Sequence, residues 1–265
     1  MTRWLPYAAA VALIVVAIGH HRRSVPAADA FSAQAPAPAA GGHVHWGYAG
    51  AEGPEHWGEL APEFSTCAQG HYQTPIDIRD AVDAELPPLA IDYRTRAVGI
   101  VDNGHSIQVN VAPGSTLTLN GRVYELKQFH FHTPSENDVN EESFAMEAHL
   151  VHADRDGRLL VLAVLYRLGA EDPAIAKIWK ESPETEGARV SLPYPVDPNE
   201  LLPESRDYYA FSGSLTTPPC TEGVTWIVLK APRTVSGGEV AYLEHAVHGH
   251  NNRPLQPLHA RAILR

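Results

Sequence analysis

The sequence predicts a single mainly-β (α+β) domain, built around a large twisted and mostly antiparallel sheet with a few short peripheral helices. Short segments of alternating apolar and polar residues follow one another along the chain, which is typical of half-buried strands. Helical periodicity is sparse, and the 22 Pro and 20 Gly among 265 residues indicate many turns and long loops. The connections between neighbouring segments are too short for parallel crossovers, so most strands are expected to pair antiparallel.

The first 35 residues differ in character from the rest of the chain. Arg3 precedes an apolar run from Leu5 to Ile18, and small residues follow this run, as in a secretory signal peptide. Arg22 and Arg23 come after the apolar run, however, so the charge bias of a signal peptide is not clean. An uncleaved membrane anchor formed by residues 5–18 is therefore the alternative to a signal peptide over residues 1–35.

Both interpretations predict an exported protein, either periplasmic or secreted. Residues 36–44 have the composition of a flexible Ala/Pro linker, and residues 45–265 are expected to form the folded domain. The formal net charge of −11 argues against nucleic acid as a partner, because binding to phosphates needs a basic surface.

The two cysteines, Cys67 and Cys220, both lie in the exported part of the chain. An even count in an oxidising compartment favours one disulfide, and two free thiols are the alternative. Such a bridge would close a loop of about 150 residues and could stabilise the fold by roughly 4–5 kcal/mol. Neither cysteine lies in a C-x-x-C motif, which argues against a thiol redox enzyme.

The individual elements can be predicted in chain order. Asn120-Gly121 predicts a two-residue hairpin between strands at 116–119 and 123–126. Asp156-Gly157 predicts a second hairpin, between 149–152 and 159–165. Further alternating segments lie at 106–111, 159–168 and 224–229. Helices are predicted at 171–180 and 238–248, the second with Ser236 as its N-cap.

Two histidine-containing segments carry the candidate chemistry. His130 and His132 form an H-x-H pair, which on a strand places both imidazoles on one face, since side chains alternate with period two. On a helix the pair would diverge by about 200° and could not chelate. His149, on a neighbouring strand, completes a three-imidazole set that leaves one position of a tetrahedral Zn²⁺ open, as in catalytic zinc sites. His152 has the opposite parity to His149 and is excluded as a ligand.

The polar residue two positions before a ligand lies on the ligand's own side of the strand. Gln128 is so placed for His130, and Glu147 for His149. A metal-bound imidazole usually donates its other N–H to a carboxylate or carbonyl, which fixes its tautomer. Val151 also shares the face of His149. The alternative to a metal centre is a cluster of ordinary core or surface histidines.

These motifs and several others resemble the α-class carbonic anhydrases, in particular the exported bacterial type. The similar stretches run from about His45 to Arg265 and include residues 45–48, 53–57, 73–78, 214–220 and 252–257. Paired Cys67 and Cys220 are similar to the disulfide of bacterial members. The resemblance implies a carbonic anhydrase catalytic domain that hydrates CO₂ reversibly to bicarbonate. In this reaction a zinc-bound hydroxide attacks CO₂, and the Zn²⁺ is held by His130, His132 and His149.

The resemblance also implies roles for three further residues. Thr216 would accept a hydrogen bond from the zinc hydroxide, and Glu136 would accept the proton of Thr216, which together orient the hydroxide. His105 would shuttle the proton away, because an imidazole with a pKa near 6.5 both takes up and releases protons at neutral pH. The alternatives are a turn hydroxyl before Pro218-Pro219 for Thr216 and a surface turn histidine for His105.

The family pattern implies a substrate site with a polar and an apolar side. Thr217 would lie near bound bicarbonate, and the apolar wall beside CO₂ would consist of Val151, Val164, Leu215, Val224 and Trp226. The alternative role of the apolar residues is plain core. Inhibition by anions and sulfonamides and a side esterase activity are further expectations, and the resemblance leaves homodimer formation open. Asn137 departs from the family pattern, which predicts altered stability around Glu136 rather than lost chemistry.

Two other functional classes fit the sequence less well. A zinc-free module that serves in binding or adhesion would typically have lost a ligand histidine, whereas all three are present, together with Thr216 and Glu136. A three-histidine metal oxygenase of the cupin type would need a carboxylate ligand pattern and Gly-rich barrel strands, and the sequence shows neither.

Overall fold

The structure, a computed structural model, describes residues 44–265. The predicted signal peptide or anchor over residues 1–35 therefore lies outside the described residues, as does the predicted linker except for its last residue. Within the described part of the chain, no helix is both long enough and apolar enough to cross a membrane.

Strands dominate the described residues. They are β1 Asp77–Ile78, β2 Ala90–Asp92, β3 Ala97–Asp102, β4 Ile107–Val111, β5 Thr116–Leu119, β6 Arg122–His132, β7 Asp138–Val139, β8 Met146–Ala153, β9 Leu159–Leu168, β10 Arg189–Ser191, β11 Tyr208–Ser214, β12 Glu222–Leu229 and β13 Arg233–Val235. The α-helices are α1 Trp57–Leu60, α2 Thr66–Gln69, α3 Pro173–Glu181 and α4 Gly237–Ala246. Short 3₁₀ turns span Gly50–Glu52, Pro62–Phe64 and Pro198–Leu201.

Eleven of these strands form one sheet, whose main path runs β10-β3-β4-β6-β8-β9-β12-β11. Strand β5 pairs with β6 and β2, and β13 pairs with β9, while β1 and β7 form a separate parallel pair. Within the large sheet only the pairings of β9 with β12 and β13 are parallel. The long segment between β9 and β12 makes that parallel crossover feasible. The predicted fold, a large mostly antiparallel sheet with a few short helices, is confirmed.

The predicted turn and cap residues act as expected at two places, and one helix begins later than predicted. Asn120 and Gly121 both have positive φ, 50° and 74°, as a type I′ hairpin turn requires, and they join β5 to β6. Ser236 and Glu239 form a reciprocal capping box at the start of α4. Helix α3 begins at Pro173 rather than Glu171, because the Asp172 side chain caps it by accepting from the N–H groups of Ala174 and Ile175.

The two faces of the central strands β6 and β8 have different surroundings. Phe129, Phe131, Ala148 and Leu150 belong to the larger apolar core on one face. The alternate positions, which include the three candidate ligand histidines, point to the other face, where a second apolar cluster packs around Trp226. The sheet thus places the candidate site on the opposite side from its main core.

His152, on the core side of β8, is fully buried and gives the fold a specific acid sensitivity. Its Nδ1 lies 3.3 Å from the carbonyl oxygen of Leu160, which leaves Nε2 to accept from the Tyr93 hydroxyl at 2.8 Å. Burial lowers the pKa of His152 from 6.5 to about 4. A depressed histidine pKa contributes stability that is present above pH 6.5 and is lost as the pH falls toward 4.

We expect this contribution to be about 3 kcal/mol, from 1.36 kcal/mol per unit of pKa shift. The measurement is urea unfolding of the metal-free protein at pH 7.5 and pH 4, for the unmodified chain and for His152→Gln. Glutamine can still accept from Tyr93 but does not titrate, so the variant should lose less stability on acidification. An identical pH dependence in both proteins would contradict the prediction.

Candidate active site

The antiparallel register of β6 and β8 brings three histidines together. His130 lies directly opposite His149, and His132 is two residues along β6 on the same face. Each of the three imidazoles offers one nitrogen, and these nitrogens all lie within 4.8 Å of one another. Three convergent imidazole nitrogens at this spacing suit a tetrahedral Zn²⁺.

The second nitrogen of each imidazole faces a specific oxygen. Nδ1 of His130 lies 2.9 Å from Oε1 of Gln128, and Nδ1 of His132 lies 2.8 Å from the carbonyl oxygen of Asn251. Nε2 of His149 lies 3.0 Å from Oε1 of Glu147. The hydrogen bonds hold a proton on Nδ1 of His130 and of His132. Nε2 of His149 lies close to the Glu147 carboxylate but makes no hydrogen bond of good geometry with it, and the negative charge there favours the proton on that nitrogen. Nε2 of His130 and His132 and Nδ1 of His149 are then lone pairs that face one another.

The inner nitrogen of His132 is a direct sign of a missing partner. Nε2 of His132 is buried and has no hydrogen-bond partner among the described residues, which is a costly state for a polar atom unless something else binds it. Burial lowers the pKa of all three imidazoles, and the neighbouring histidines lower those of His130 and His149 further. The imidazoles are therefore neutral at neutral pH, which is the form that binds metal. The donor set fits a zinc ion.

Glu147 ties the loop after β6 to His149. Its fully buried carboxylate accepts hydrogen bonds from the backbone N–H groups of Glu136 and Asn137, both at 2.8 Å. It also accepts from the Asn137 side-chain amide at 2.7 Å. Oδ1 of Asn137 in turn accepts from the N–H of Ile76 at 3.1 Å. Asn137 therefore has its own hydrogen-bonded place beside the cluster, and the predicted change in stability around Glu136 stays a prediction.

Glu136 borders the imidazole cluster from the side. Its Oε2 lies 3.6 Å from Nε2 of His132 and 3.9 Å from Nδ1 of His149, and its Oε1 accepts from the backbone N–H of Arg253 at 2.9 Å. Burial raises the pKa of Glu136 to about 8, while the hydrogen bond from the Arg253 N–H and the nearby Thr216 hydroxyl act to lower it. The structure thus brings Thr216 to Glu136 although the two lie far apart in sequence.

The loop that carries Thr216 and Thr217 is anchored on both sides. The Trp226 indole N–H donates to the Ser214 carbonyl at 3.0 Å, and the N–H of Cys220 donates to the Thr217 carbonyl at 2.9 Å. Cys220 is joined by a disulfide to Cys67, 153 positions earlier. The predicted disulfide is confirmed, and it holds the Thr216 loop against helix α2.

His105 lies on the turn between β3 and β4, next to the strand that carries His130 and His132. The side-chain oxygen of Asn103 accepts from the N–H groups of His105 and Ser106, at 3.0 and 2.8 Å. The half-buried His105 ring stacks on Trp46, with 3.6 Å between ring centroids. Burial lowers the pKa of His105, whereas the nearby carboxylate of Glu186 raises it.

A family model described as eukaryotic-type carbonic anhydrase matches residues 52–265. The chain belongs to this family, the α-class carbonic anhydrases. A carbonic anhydrase of Neisseria gonorrhoeae is 48% identical over 239 residues, covering 90% of this chain and 93% of that protein. One of Pectobacterium carotovorum is 45% identical over 221 residues, covering 83% of this chain and 91% of that one.

A solved structure gives the same result. The α-carbonic anhydrase of Thermovibrio ammonificans, in complex with the inhibitor sulfanilamide, has a TM-score of 0.83 and 46% identity, and covers 84% of this chain and 100% of its own. The predictions that the chain resembles the α-class and is a carbonic anhydrase enzyme are confirmed. CO₂ hydration is the activity that this family membership supports.

One assignment to the apolar wall of this carbonic anhydrase is wrong. Val164 pairs with Ala148 and belongs to the main core, on the opposite face of the sheet from His149. Val161 instead pairs with Val151, and both lie in the cluster around Trp226. Val164 was assigned from the family resemblance alone, and the register of β8 and β9 contradicts it, because His149 pairs with Ala163 and its neighbour Val164 points to the other face.

The actual turn is longer and is held by Asp154. Its Oδ1 accepts from the N–H groups of Asp156 and Arg158, at 2.8 and 2.9 Å, and the last strand pair before it is Ala153 with Leu159. This turn length sets the register of β9, and a shift of one residue would move every side chain of the strand to the other face. His149 therefore faces Ala163, and Val161 takes the place predicted for Val164.

The other predicted wall residues lie on the expected side. Val224 and Trp226 belong to the same cluster as Val161, and Val151 and Leu215 pack against it. The Trp226 ring is 4.9 Å from the His149 ring between centroids, in an edge-on arrangement. An apolar surface thus directly adjoins the imidazole cluster.

Two residues near the cluster were not identified from the sequence. Asn251 supplies the carbonyl oxygen that faces His132. Arg253, fully buried, donates its guanidinium N–H groups to Oε1 of Gln73 and to the carbonyls of Thr74 and Cys67, all at 2.9 Å. Burial lowers the pKa of Arg253 to about 10. Asn251 lies beside the stretch 252–257, which resembles the family, and Arg253 lies within it. Their contacts are with residues far away in the sequence, so only the folded structure shows them.

Proposed function

We propose that this enzyme catalyses the reversible hydration of CO₂ to bicarbonate and a proton with a Zn²⁺ ion held by His130, His132 and His149. The observation that carries the proposal is the set of three neutral imidazoles, those of His132 and His149 buried and that of His130 half-buried, whose nitrogens converge within 4.8 Å. Zinc, when bound, lowers the pKa of a water molecule and so supplies a hydroxide nucleophile at neutral pH. Gln128, Glu147 and the Asn251 carbonyl fix the imidazole tautomers that the ion needs.

Thr216 and Glu136 orient the nucleophile in this proposal. The positive charge of a bound Zn²⁺ would lower the pKa of the nearby Glu136 and keep it a carboxylate. The Thr216 hydroxyl then donates its proton to that carboxylate, so the hydroxyl oxygen is available only as an acceptor. It then accepts a hydrogen bond from a nucleophile that carries a proton and rejects groups that cannot donate. Such fixed orientation lowers the entropy cost of reaching the transition state. Thr217 would lie beside the bicarbonate.

The apolar wall holds CO₂ next to this polar side. Val151, Val161, Leu215, Val224 and Trp226 offer no hydrogen bonds to compete for CO₂, which itself has no N–H or O–H group. The wall therefore excludes ordered water from the place where carbon must be attacked. The indole N–H of Trp226 is already donated to Ser214, so the wall stays apolar.

His105 moves the product proton to the solvent. Its imidazole is half-buried, so one edge is open to bulk water while the turn that carries it touches β6 through the hydrogen bond from the Ser106 hydroxyl to the Phe131 carbonyl, at 2.6 Å. Because its pKa is lowered by burial, the ring releases protons readily at neutral pH.

We expect His105→Ala to lower kcat by about a hundredfold in dilute buffer, the lower end of the usual contribution of a positioned proton-transfer group. Added imidazole should restore the rate, because it replaces the missing proton carrier. Stopped-flow CO₂ hydration at several buffer concentrations is the measurement, and His250→Ala, which removes an exposed histidine, is the control. A kcat that does not change in dilute buffer would exclude this role for His105.

The remaining expectations follow from the family. The Thermovibrio ammonificans enzyme is solved with sulfanilamide, and we propose that sulfonamides and small anions inhibit this chain by binding at the zinc. Hydrolysis of activated esters by the same nucleophile, and export by the segment at residues 1–35, belong to the same proposal.

The direct test of the function is zinc-dependent CO₂ hydration. The purified enzyme should contain about one zinc per chain, lose its activity when the zinc is removed by a chelator, and regain it on addition of Zn²⁺ but not of Mg²⁺, which prefers oxygen ligands. A metal-free protein that hydrates CO₂ no faster than buffer even after zinc is added would overturn the proposal.

A further inference from the structure

Asn251 uses every one of its polar groups in a buried setting, and no sequence pattern marked it for a role. Its side chain is 0% exposed. The amide Nδ2 donates to the carbonyl oxygens of His105 and Phe131, both at 2.9 Å, and Oδ1 accepts from the N–H of Thr133 at 2.8 Å. The backbone carbonyl faces Nδ1 of His132 at 2.8 Å.

These four contacts join two functional parts of the enzyme. Phe131, His132 and Thr133 form the end of β6 that carries a zinc ligand, whereas His105 belongs to the turn between β3 and β4. Asn251 itself comes from the segment after α4, more than 100 positions further along the chain. The Asn251 side chain therefore fixes the spacing between the end of β6 and the turn that carries His105. The backbone carbonyl of Asn251 fixes the tautomer of His132.

We propose that the Asn251 side-chain amide is a positioning residue that couples zinc retention to proton export. The inference rests on the proposed function and goes beyond it, because it gives one amide control over both His132 and His105. Ser106 provides a second link between the same two elements, through its hydroxyl and the Phe131 carbonyl. Loss of the amide should therefore loosen the arrangement without separating the two elements.

Asn251→Asp is the sharpest variant, because it keeps the shape and the acceptor oxygen but removes both N–H donors. We expect a 10- to 100-fold weaker zinc affinity, the usual cost of disturbing a group behind a metal ligand. In the zinc-saturated variant, kcat in dilute buffer should fall by about tenfold through misplacement of His105. The ratio kcat/KM should stay within about threefold, because proton export follows CO₂ conversion.

The matched control is Asn252→Asp, which makes the same chemical change at the half-buried neighbouring residue. Asn251→Ser serves as a second variant if the aspartate prevents folding. Added imidazole should restore kcat in the Asn251 variants, which partial unfolding would not allow. In the His105→Ala background, Asn251→Asp should reduce kcat no further while still weakening zinc binding, since coupled residues are not additive.

Different results would contradict the role of Asn251 and the proposed function. Equal losses in kcat and kcat/KM, or an unchanged zinc affinity with an unchanged buffer dependence, would overturn the role of Asn251. An additive loss of kcat in the double variant would also overturn it. The unmodified enzyme, measured in the same series, distinguishes the two proposals, because absence of zinc-dependent hydration there would instead count against the proposed function.

Discussion

His149→Ala is expected to abolish zinc binding and to lower kcat/KM for CO₂ hydration by about 10⁴-fold or more. The metal supplies several kcal/mol of transition-state stabilisation, and each 1.36 kcal/mol corresponds to a factor of ten in rate. With two imidazoles left, the site has too few ligands for the tetrahedral arrangement that zinc requires. The measurements are zinc content by atomic emission and stopped-flow hydration on the same preparation.

The chain contains a matched control for this experiment. His152 lies on the same strand as His149 and is as fully buried, but it points to the other face of the sheet and contacts Tyr93. We expect His152→Ala to lower the free energy of unfolding while it leaves zinc content and the rate per folded molecule unchanged. Equal zinc contents in the two variants would show that the ion does not bind at the three-histidine cluster.

Thr216→Ala should lower kcat/KM by about 10²-fold with zinc fully retained. Orientation of the nucleophile is worth this much when a single fixed hydrogen bond is removed, and none of the three candidate zinc ligands is altered. Thr216→Ser keeps the hydroxyl that donates to Glu136 and should retain most of the activity. Glu136→Gln should resemble the alanine variant, because the amide can donate where the carboxylate only accepted.

A different pattern would remove Thr216 from the mechanism. If Thr216→Ala and Thr216→Ser were equally active, the hydroxyl would have no role in orienting the nucleophile. If Thr216→Ala lost zinc, the residue would act by supporting the metal site. The combination of retained zinc, a large loss for alanine and a small loss for serine is expected only from a hydrogen bond at the reacting centre.

Strand alternation is enough to predict that the three histidines share one face of the sheet. His130 and His132 are two positions apart on one strand, and this spacing settles their common face without any knowledge of the fold. The same rule separated His149 from His152. Asn120-Gly121 determined its hairpin in the same local way, because both residues tolerate the positive φ that the turn requires.

The assignment of Val164 to the apolar wall, which came from the family resemblance and not from strand alternation, was wrong. Which residue of β9 faces His149 depends on the length of the turn before it, and the buried carboxylate of Asp154 sets that length by its own hydrogen bonds. A one-residue difference moves Val164 into the main core and brings Val161 to the site. Local sequence patterns predict turns well but do not determine their exact length.

The amino-acid sequence by itself determined which side chains can meet a zinc ion, because the period of a strand is a property of the backbone. Only the tertiary structure decided which groups form hydrogen bonds with the outer nitrogens of the ligands and with the neighbouring Glu136. The carbonyl of Asn251 reaches His132 and the N–H of Arg253 reaches Glu136 from almost 120 positions away. Such contacts depend on how the whole sheet closes around its core, since buried polar groups take whichever partners the packing brings within reach.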